Sequence, residues 1–276
     1  MKQIDNKVIL LTGASSGIGK ALANSLAQNG AKVYGTSRHP ANAKSVVKNA
    51  TGGGFLAMIQ LDVCSDESVS KAVNYVMEKE GRIDVLINNA GSGIAGSVED
   101  TTATEAYQQF NPNFFGALRT CRAVLPIMRR QQKGLIINVG SVAGLFAIPY
   151  QSMYSASKYA LEAMTEAIRM ETKPFGIRAV LVEPGDTKTG FTGSRQMVAA
   201  ASTSAYEKSC TKSINTMAKS EQNAAEPKEI LKVVNRLIGK KNPPVRVVVG
   251  FDYKLMVFAK RLLPARLVEF IVSKMY

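Results

Sequence analysis

Histidine is almost missing from this chain of 276 residues: His39 stands alone, so a multi-histidine metal centre and a Ser-His-Asp triad are both excluded. Cysteine is scarce as well. Cys64, Cys121 and Cys210 are odd in number, far apart and without a CxxC, which argues against a disulfide framework and a thiolate zinc site and fits a reducing cytoplasm. No uninterrupted apolar run reaches the roughly 18 residues that a spanning helix needs. The opening MKQIDNKVILLTG holds no apolar stretch long enough for a secretory signal before a glycine-rich loop begins. Internal repeats and low-complexity linkers are absent too, so residues 1–276 are expected to form one domain.

Acidic residues are also outnumbered. The formal net charge is +14, and from Glu207 to the end 14 Lys or Arg face 6 Asp or Glu, a local excess of 8. Three readings fit such a region: a solvated basic surface, attraction to an anionic membrane, or attraction to an acidic carrier. Nucleic acid is not expected, because no interleaving of aromatic and basic residues or zinc-finger spacing accompanies the charge.

What the chain does have is alternation. Short, β-branched apolar runs (KVILLTG, AKVYGTS, FLAMIQLDV, DVLINNAG, GLIINVGS, IRAVLVEPG and VRVVVG) are interleaved with amphipathic stretches of helical period. Helices are expected to about Asn49 after the second run, over DESVSKAVNYVMEKEG, over about 104–130 and 151–172, and over EILKVVNRLIG. Buried strands separated by helices specify a parallel sheet covered on both faces. The predicted fold is therefore a doubly wound, Rossmann-type α/β domain with a mostly parallel seven-stranded sheet. Ligands of such sheets gather at the carboxyl ends of the strands, where the polar motifs of this chain fall.

The first of these is TGASSGIG, between the first strand and the first helix. Gly13, Gly17 and Gly19 allow backbone to approach a ligand, and the amides at a helix N-terminus attract phosphate, so a dinucleotide pyrophosphate is the expected occupant. At the end of the second strand the chain reads Ser37-Arg38, with no carboxylate to engage a ribose 2′-hydroxyl and a guanidinium suited to a 2′-phosphate, which points to NADP(H). Tyr154 and Lys158 are four residues apart in YSASK and share a helix face, so phenol and ammonium can meet at one substrate oxygen. A neighbouring ammonium and an oxidised nicotinamide together favour phenolate and are expected to bring the phenol's pKa closer to working pH. Ser141, thirteen positions upstream of Tyr154, can hydrogen-bond the same oxygen as charge develops there.

With TGASSGIG, Asp62 in LDV, Asn88-Asn89-Ala90-Gly91, Asn113 in NFFG, Ser141, YSASK and Pro184-Gly185 with Thr189, the sequence resembles the short-chain dehydrogenase/reductase family, in its ordinary-length, NADP-preferring branch. The resemblance covers residues 5–190 strongly. It implies a catalytic set of Asn113, Ser141, Tyr154 and Lys158, with Asn113 supporting a water that links Lys158 to solvent. It implies a cofactor site made of Gly13, Ser15, Ser16, Gly17, Ile18, Gly19, Ser37, Arg38, Asp62, Val63, Asn89, Ala90, Gly91, Tyr154, Lys158, Pro184, Gly185, Thr187 and Thr189. Asp62 would lie near the adenine and Pro184 to Thr189 beside the nicotinamide. No metal is implied, and helices 104–130 and 151–172 would build a homodimer or homotetramer. Two departures stand out: Pro112 beside Asn113 implies a kink, and Asp186-Thr187 after Pro184-Gly185 is unusually polar.

Residues 190–225 are expected to form a substrate lid and 251–276 a basic amphipathic extension. Candidate pocket walls, Ile94, Ala95, Leu145, Phe146, Ile148, Phe191, Met197, Tyr206 and Met217, are mostly apolar and suggest a small hydrophobic carbonyl or alcohol. A looser likeness of GSVAGLFAIP and the tail to steroid- and retinoid-type dehydrogenases implies the same. The tail itself either packs over the cleft or against another subunit, the more economical reading, or rests on a membrane surface. A 3-oxoacyl-(acyl-carrier) reductase and a non-catalytic nucleotide sensor are the alternatives.

Overall fold

Strand β1 (Val8–Leu11) is buried on both sides, and its alternate side chains feed two different cores: Ile9 and Leu11 join one, Val8 and Leu10 the other. In the computed structural model, which describes residues 4–40, 47–48 and 53–276, this pattern recurs in the central strands of the sheet. The chain continues as α1 (Gly17–Gln28), β2 (Lys32–Ser37), β3 (Val47–Lys48), β4 (Phe55–Gln60), α2 (Asp66–Glu80), β5 (Val85–Asn88), β6 (Ile94–Ala95), α3 (Ala103–Phe110), α4 (Gly116–Arg130), β7 (Gly134–Val139), α5 (Ser152–Glu171) and β8 (Ile177–Pro184). It ends with α6 (Phe191–Ser194), β9 (Gln196–Met197), α7 (Glu207–Asn223), α8 (Lys228–Ile238), β10 (Arg246–Val249), α9 (Phe251–Leu262) and α10 (Ala265–Met275).

The main sheet has the order β10-β8-β7-β5-β1-β2-β4-β3. All seven long strands run parallel, and the two-residue β3 is added antiparallel at the edge against Phe55 and Leu56 of β4. The expected doubly wound sheet is therefore present, with one short strand more. That strand replaces part of the helix expected up to Asn49; the rest of that expectation lies outside the described residues. From β1 the chain winds first toward β2 and β4, then returns to the other side at β5, and this reversal opens a crevice at the carboxyl ends of β1 and β5.

Helices α1 and α8 cover one face through Leu22, Leu26, Ile230, Val234 and Leu237; α2, α4 and α5 cover the other through Val73, Val76, Val124, Met128 and Ile168. Each fully buried Leu, Ile or Val contributes about 1.5–3 kcal/mol relative to exposure. Truncating one such side chain, Leu86→Ala for example, costs about 2–5 kcal/mol through the cavity left behind.

The long helical stretch expected over 104–130 runs from Ala103 to Arg130 but is interrupted by a π-helical turn, Asn111–Phe115. Pro112 has no N–H and its ring would crowd the preceding turn, so the ladder widens and the amide of Gly116 reaches the Asn111 carbonyl five residues back. The kink implied by Pro112 is thus an inserted residue. One consequence is that Asn113 turns inward and is buried.

Candidate active site

Glycine is compulsory in the loop between β1 and α1. Gly13 and Gly17 have φ of +67° and +51°, and a Cβ on Gly19 would lie 2.0 Å from the Gly13 carbonyl oxygen. Thr12 fastens the loop to its neighbour: its Oγ1 accepts the amides of Asn89 and Ala90, each at 3.0 Å, while Asn89 Nδ2 donates to the carbonyls of Thr12 and Gly13, also at 3.0 Å. Gly91 packs as closely against Asn113, since a Cβ there would be 2.9 Å from the Asn113 side-chain oxygen. Below this latch a buried chain of side-chain bonds runs from Thr120 to Asn88, on to Asn138 and then Thr165, locking β5, β7, α4 and α5 together.

The first turn of α1 differs from those of α2 and α3. Ser65 caps α2 ahead of Asp66 and Glu67, and Thr102 with Glu105 forms a capping box on α3. Ser16 places no side-chain bond on α1, and no acidic residue follows it. Ser15 and Ser16 are exposed beside Ile18, and the amides of this turn are available to an anion, which fits a pyrophosphate. Thr189 closes the other side of the loop, its Cβ 3.5 Å from the position a Gly17 Cβ would take.

Ser37 ends β2, and Arg38 is exposed just beyond. Asp62 is held by the turn into α2: its Oδ1 accepts the Cys64 amide at 2.9 Å, and its own amide donates to Ser68 Oγ at 2.9 Å. Burial raises the pKa of the Cys64 thiol, Asp62 adds to the rise, and Arg119 and Arg38 oppose it, so Arg38 stands close enough for its charge to act on this turn. Val63 is buried against Gly116.

Ser141, Tyr154 and Lys158 converge at the carboxyl end of β7. Ser141 opens a short helical turn, its Oγ accepting the Ala143 amide at 3.1 Å, and it is hydrogen-bonded to the Tyr154 hydroxyl. Lys158 is 7% exposed, and its Nζ donates to the Val139 carbonyl at 2.9 Å while lying 5.8 Å from the centroid of the Tyr154 ring. Burial draws its pKa down to about 8, with the Glu162 charge acting the other way. Asn113 Nδ2 donates to the Ser92 carbonyl at 3.0 Å and to Ser157 Oγ at 3.1 Å, and Ser157 in turn donates to the Tyr154 carbonyl. All four predicted catalytic residues are brought to one end of α5.

The protein groups alone set the electrostatics around Tyr154. Burial raises the Tyr154 pKa; the Ser141 bond and Arg195 lower it, and Glu221 and Asp186 raise it. The ammonium of Lys158 is bound to a backbone carbonyl, and burial lowers its pKa, so the protein groups by themselves raise the pKa of the phenol.

Two groups of residues near the site went unread in the sequence. In the first, Arg195 and Glu221 form an almost fully buried ion pair, Thr192 Oγ1 donates to Glu221 at 2.6 Å, and Arg195 lies over the Phe191 ring, whose centroid is 5.7 Å from that of Tyr154. Nothing in the spacing of residues 191–221 signals this. In the second, Glu162 on α5 and Glu183 on β8 are buried side by side, approached by Arg246 at 3.4 Å and 3.9 Å. Glu183 was legible as a charge inside an otherwise apolar strand run.

The last segments close the region. Pro184 ends β8, and a Cβ on Gly185 would sit 2.0 Å from the Tyr253 ring, so Tyr253 roofs the Pro184-Gly185 turn; it is also hydrogen-bonded to Asp186. Thr187 Oγ1 donates to the Gly185 carbonyl at 3.1 Å, and Thr189 Oγ1 accepts the Phe191 amide at 3.2 Å. Among the candidate wall residues, Phe191 reaches Tyr154, while Ile94 and Ala95 pair with Gln196 and Met197. Phe146 instead packs with Val257 and Val272 of the tail, and Tyr206 is at the surface, donating to Glu99.

A parallel sheet with a glycine-loop anion cradle at its switch point, beside a Ser-Tyr-Lys group, defines a nicotinamide-dependent oxidoreductase. The profile described as short chain dehydrogenase matches residues 7–198, and the chain belongs to the short-chain dehydrogenase/reductase family. It is 40% identical to a 3-ketodihydrosphingosine reductase of Bacteroides thetaiotaomicron over 98% of both chains. It is 34% identical to retinol dehydrogenase 8 of Bos taurus, covering 94% of this chain and 86% of that one. Among solved structures it is similar to a short-chain dehydrogenase from Streptomyces avermitilis, with a TM-score of 0.82, 31% identity and 93% of each chain covered.

Proposed function

We propose that this protein is an NADPH-dependent reductase of long-chain, lipid-like ketones, with a 3-keto sphingoid base as the first substrate to test. The observation that carries the reading is the hydrogen bond between Tyr154 and Ser141 beside the aromatic ring of Phe191, whose centroid is 5.7 Å from that of Tyr154. A protonated phenol is the donor that ketone reduction requires. The 40% identity to the 3-ketodihydrosphingosine reductase over nearly the whole of both chains supports the substrate class.

The residues fit the cofactor: the uncapped first turn of α1 and the compulsory glycines would hold the pyrophosphate, Arg38 the 2′-phosphate, and Lys158 the nicotinamide ribose. When bound, the cofactor supplies the hydride. Ser141 orients the ketone oxygen and stabilises its developing charge, and Tyr154 delivers the proton from its hydroxyl. Lys158 supports the Tyr154 ring from below, and Asn113, through Ser157, fixes the first turn of α5. Residues 190–225 serve as a substrate lid, with Arg195 and Glu221 setting the position of Phe191.

NADPH oxidation should be followed with 3-ketodihydrosphingosine, all-trans-retinal, a short aliphatic ketone and a 3-oxoacyl thioester on its carrier. The sphingoid ketone should give the highest kcat/KM, and a higher value for the carrier-linked thioester would replace this reading with acyl-carrier reduction. Arg38→Asp should lower the NADPH-over-NADH preference by about a hundredfold, the effect of exchanging a phosphate-binding guanidinium for a carboxylate. An unchanged cofactor ratio would remove Arg38 from the 2′-phosphate site.

A further inference from the structure

Half of the large apolar side chains exposed among the described residues, eight of sixteen, lie on α9 and α10. They are not scattered. On α9 they are Phe251, Leu255, Phe258 and Leu262, at intervals of four, three and four residues, so they form one stripe along the helix, with exposures of 80%, 60%, 58% and 69%. On α10 Leu267, Phe270, Ile271 and Met275 repeat the pattern. The opposite edges of both helices are already used: Val257 and Val272 meet Phe146 in a small buried cluster, with Met256, Val268 and Tyr276 packed on it.

Each helix therefore has two apolar faces, one holding it to the body of the protein and one turned away. Contiguous exposed apolar surface of this kind marks an interaction site. Exposed Lys254, Arg261, Arg266 and Lys274 flank the stripes, against Asp252 and Glu269. Lys260 is turned inward instead, bonded to the Leu145 carbonyl and lying 5.0 Å from the Phe146 ring centroid.

We propose that α9 and α10 form a peripheral docking surface for an anionic lipid bilayer. Apolar stripes bordered by Lys and Arg match the boundary between acyl chains and acidic headgroups, where such helices lie in the plane of the surface. No helix among the described residues is long and apolar enough to cross a membrane, so the helices lie on it rather than through it. A second copy is the poorer occupant, because it would bring together two basic-rimmed faces of a chain whose net charge is +14. The docking stands apart from the substrate reading, but the two meet in the structure. Tyr253 of α9 roofs Gly185, and Tyr276, just after α10, lies near Asp186 and Glu221, so the elements resting on lipid also pack on the segment that follows β8.

The test is co-sedimentation of the full chain with vesicles of phosphatidylcholine alone and of phosphatidylcholine containing phosphatidylglycerol. The protein should sediment with the second kind only, and less in high salt. Two variants separate the contributions: Phe251→Ser/Leu255→Ser/Phe258→Ser/Leu262→Ser and Lys254→Glu/Arg266→Glu, all at exposed positions, each checked by thermal melting. Each should weaken partitioning by about tenfold or more, since apolar burial and charge act together. Should the apolar variant fail to melt cooperatively, the charge variant alone decides. Wild-type protein left in the supernatant with anionic vesicles, or folded variants sedimenting like wild type, overturns the proposal. So does a fall in the oligomer mass of the apolar variant with no loss of sedimentation, which assigns the stripe to a second copy.

Discussion

In the first two thirds of the chain most of the functional side chains are tied to backbone, and in the last third the charged ones are tied to other side chains. Asn89 holds the carbonyls of Thr12 and Gly13, Asn113 holds Ser92, Lys158 holds Val139, and Asp62 and Ser141 accept amides two residues ahead. Beyond residue 185 Thr187 and Thr189 still bond nearby backbone, but the anchors between distant segments are Arg195 with Glu221, Thr192 with Glu221, Ser220 with Asp186, and Tyr253 with Asp186. Backbone groups are fixed by the sheet, so the first arrangement makes a rigid platform for chemistry. Pairs of side chains can part without unfolding a strand. The second arrangement suits a region that admits a substrate and closes on it.

The sharpest way to break this contrast is to disable the platform alone. Tyr154→Phe removes the proton donor and its bond to Ser141 without touching the α1 turn, so turnover should fall by about 10²–10⁴-fold while NADPH fluorescence titration still shows binding. Near-normal turnover would sink the assignment of the donor. Gly19→Ala comes next. Its Cβ cannot fit against the Gly13 carbonyl, and the loop must move by an amount that costs about 1–3 kcal/mol. NADPH affinity should drop by about tenfold or more for that cost, equally for every ketone offered; an effect confined to one substrate would contradict it.

Arg195→Met addresses the other half. It leaves the Glu221 carboxylate buried without its partner and frees Phe191 from the guanidinium above it. The expected result is a several-fold rise in KM for the ketone with the NADPH dissociation constant unchanged. Equal changes in both constants would show that the two regions do not act separately.

The same contrast explains what could be read from the residues in order. An anchor from a side chain to nearby backbone has a fixed sequence spacing, which is why the glycine loop, Asp62 with its turn, and Ser141 with Tyr154 and Lys158 stood out as motifs. The alternation of strands and helices was legible for a similar reason: each strand buries both faces and each helix one, and both patterns are local. Arg195 and Glu221 are 26 residues apart and meet only because α6 and α7 fold back on each other, so no spacing announces them. Pro112 was readable as a disturbance, but whether a helix answers proline with a bend or with a π turn depends on the packing of Asn113 and Gly116. The rise in the Tyr154 pKa was hidden because it follows from burial and from where Lys158 points. Four residues on one helix face bring two groups near each other without deciding which atom the ammonium bonds.

Glu162 and Glu183 give the smallest effect and belong to neither region's scheme. Their carboxyl groups are buried against each other, with Arg246 facing both from β10 and Glu166 adding its own charge. Burial first, and then the charge of Glu183, raises the pKa of Glu162 above the usual 4.5, so the folded pair keeps a proton that the unfolded chain has lost. A raised carboxyl pKa makes its contribution to stability complete below about 4.5 and progressively lost as pH climbs toward the folded value. Glu162→Gln cannot titrate and preserves the shape, leaving Arg246 with Glu166 and Glu183. Its melting temperature should match that of the wild type at about pH 4, below the unfolded carboxyl pKa, and exceed it by about 2–4 °C at about pH 8, as expected for roughly 1 kcal/mol in a domain of this size. Parallel pH curves for the two proteins would mean that the proton is not shared. A gain from Glu183→Gln but not from Glu162→Gln would move the proton to the strand, where it would stabilise β8 directly beneath the Pro184-Gly185 turn.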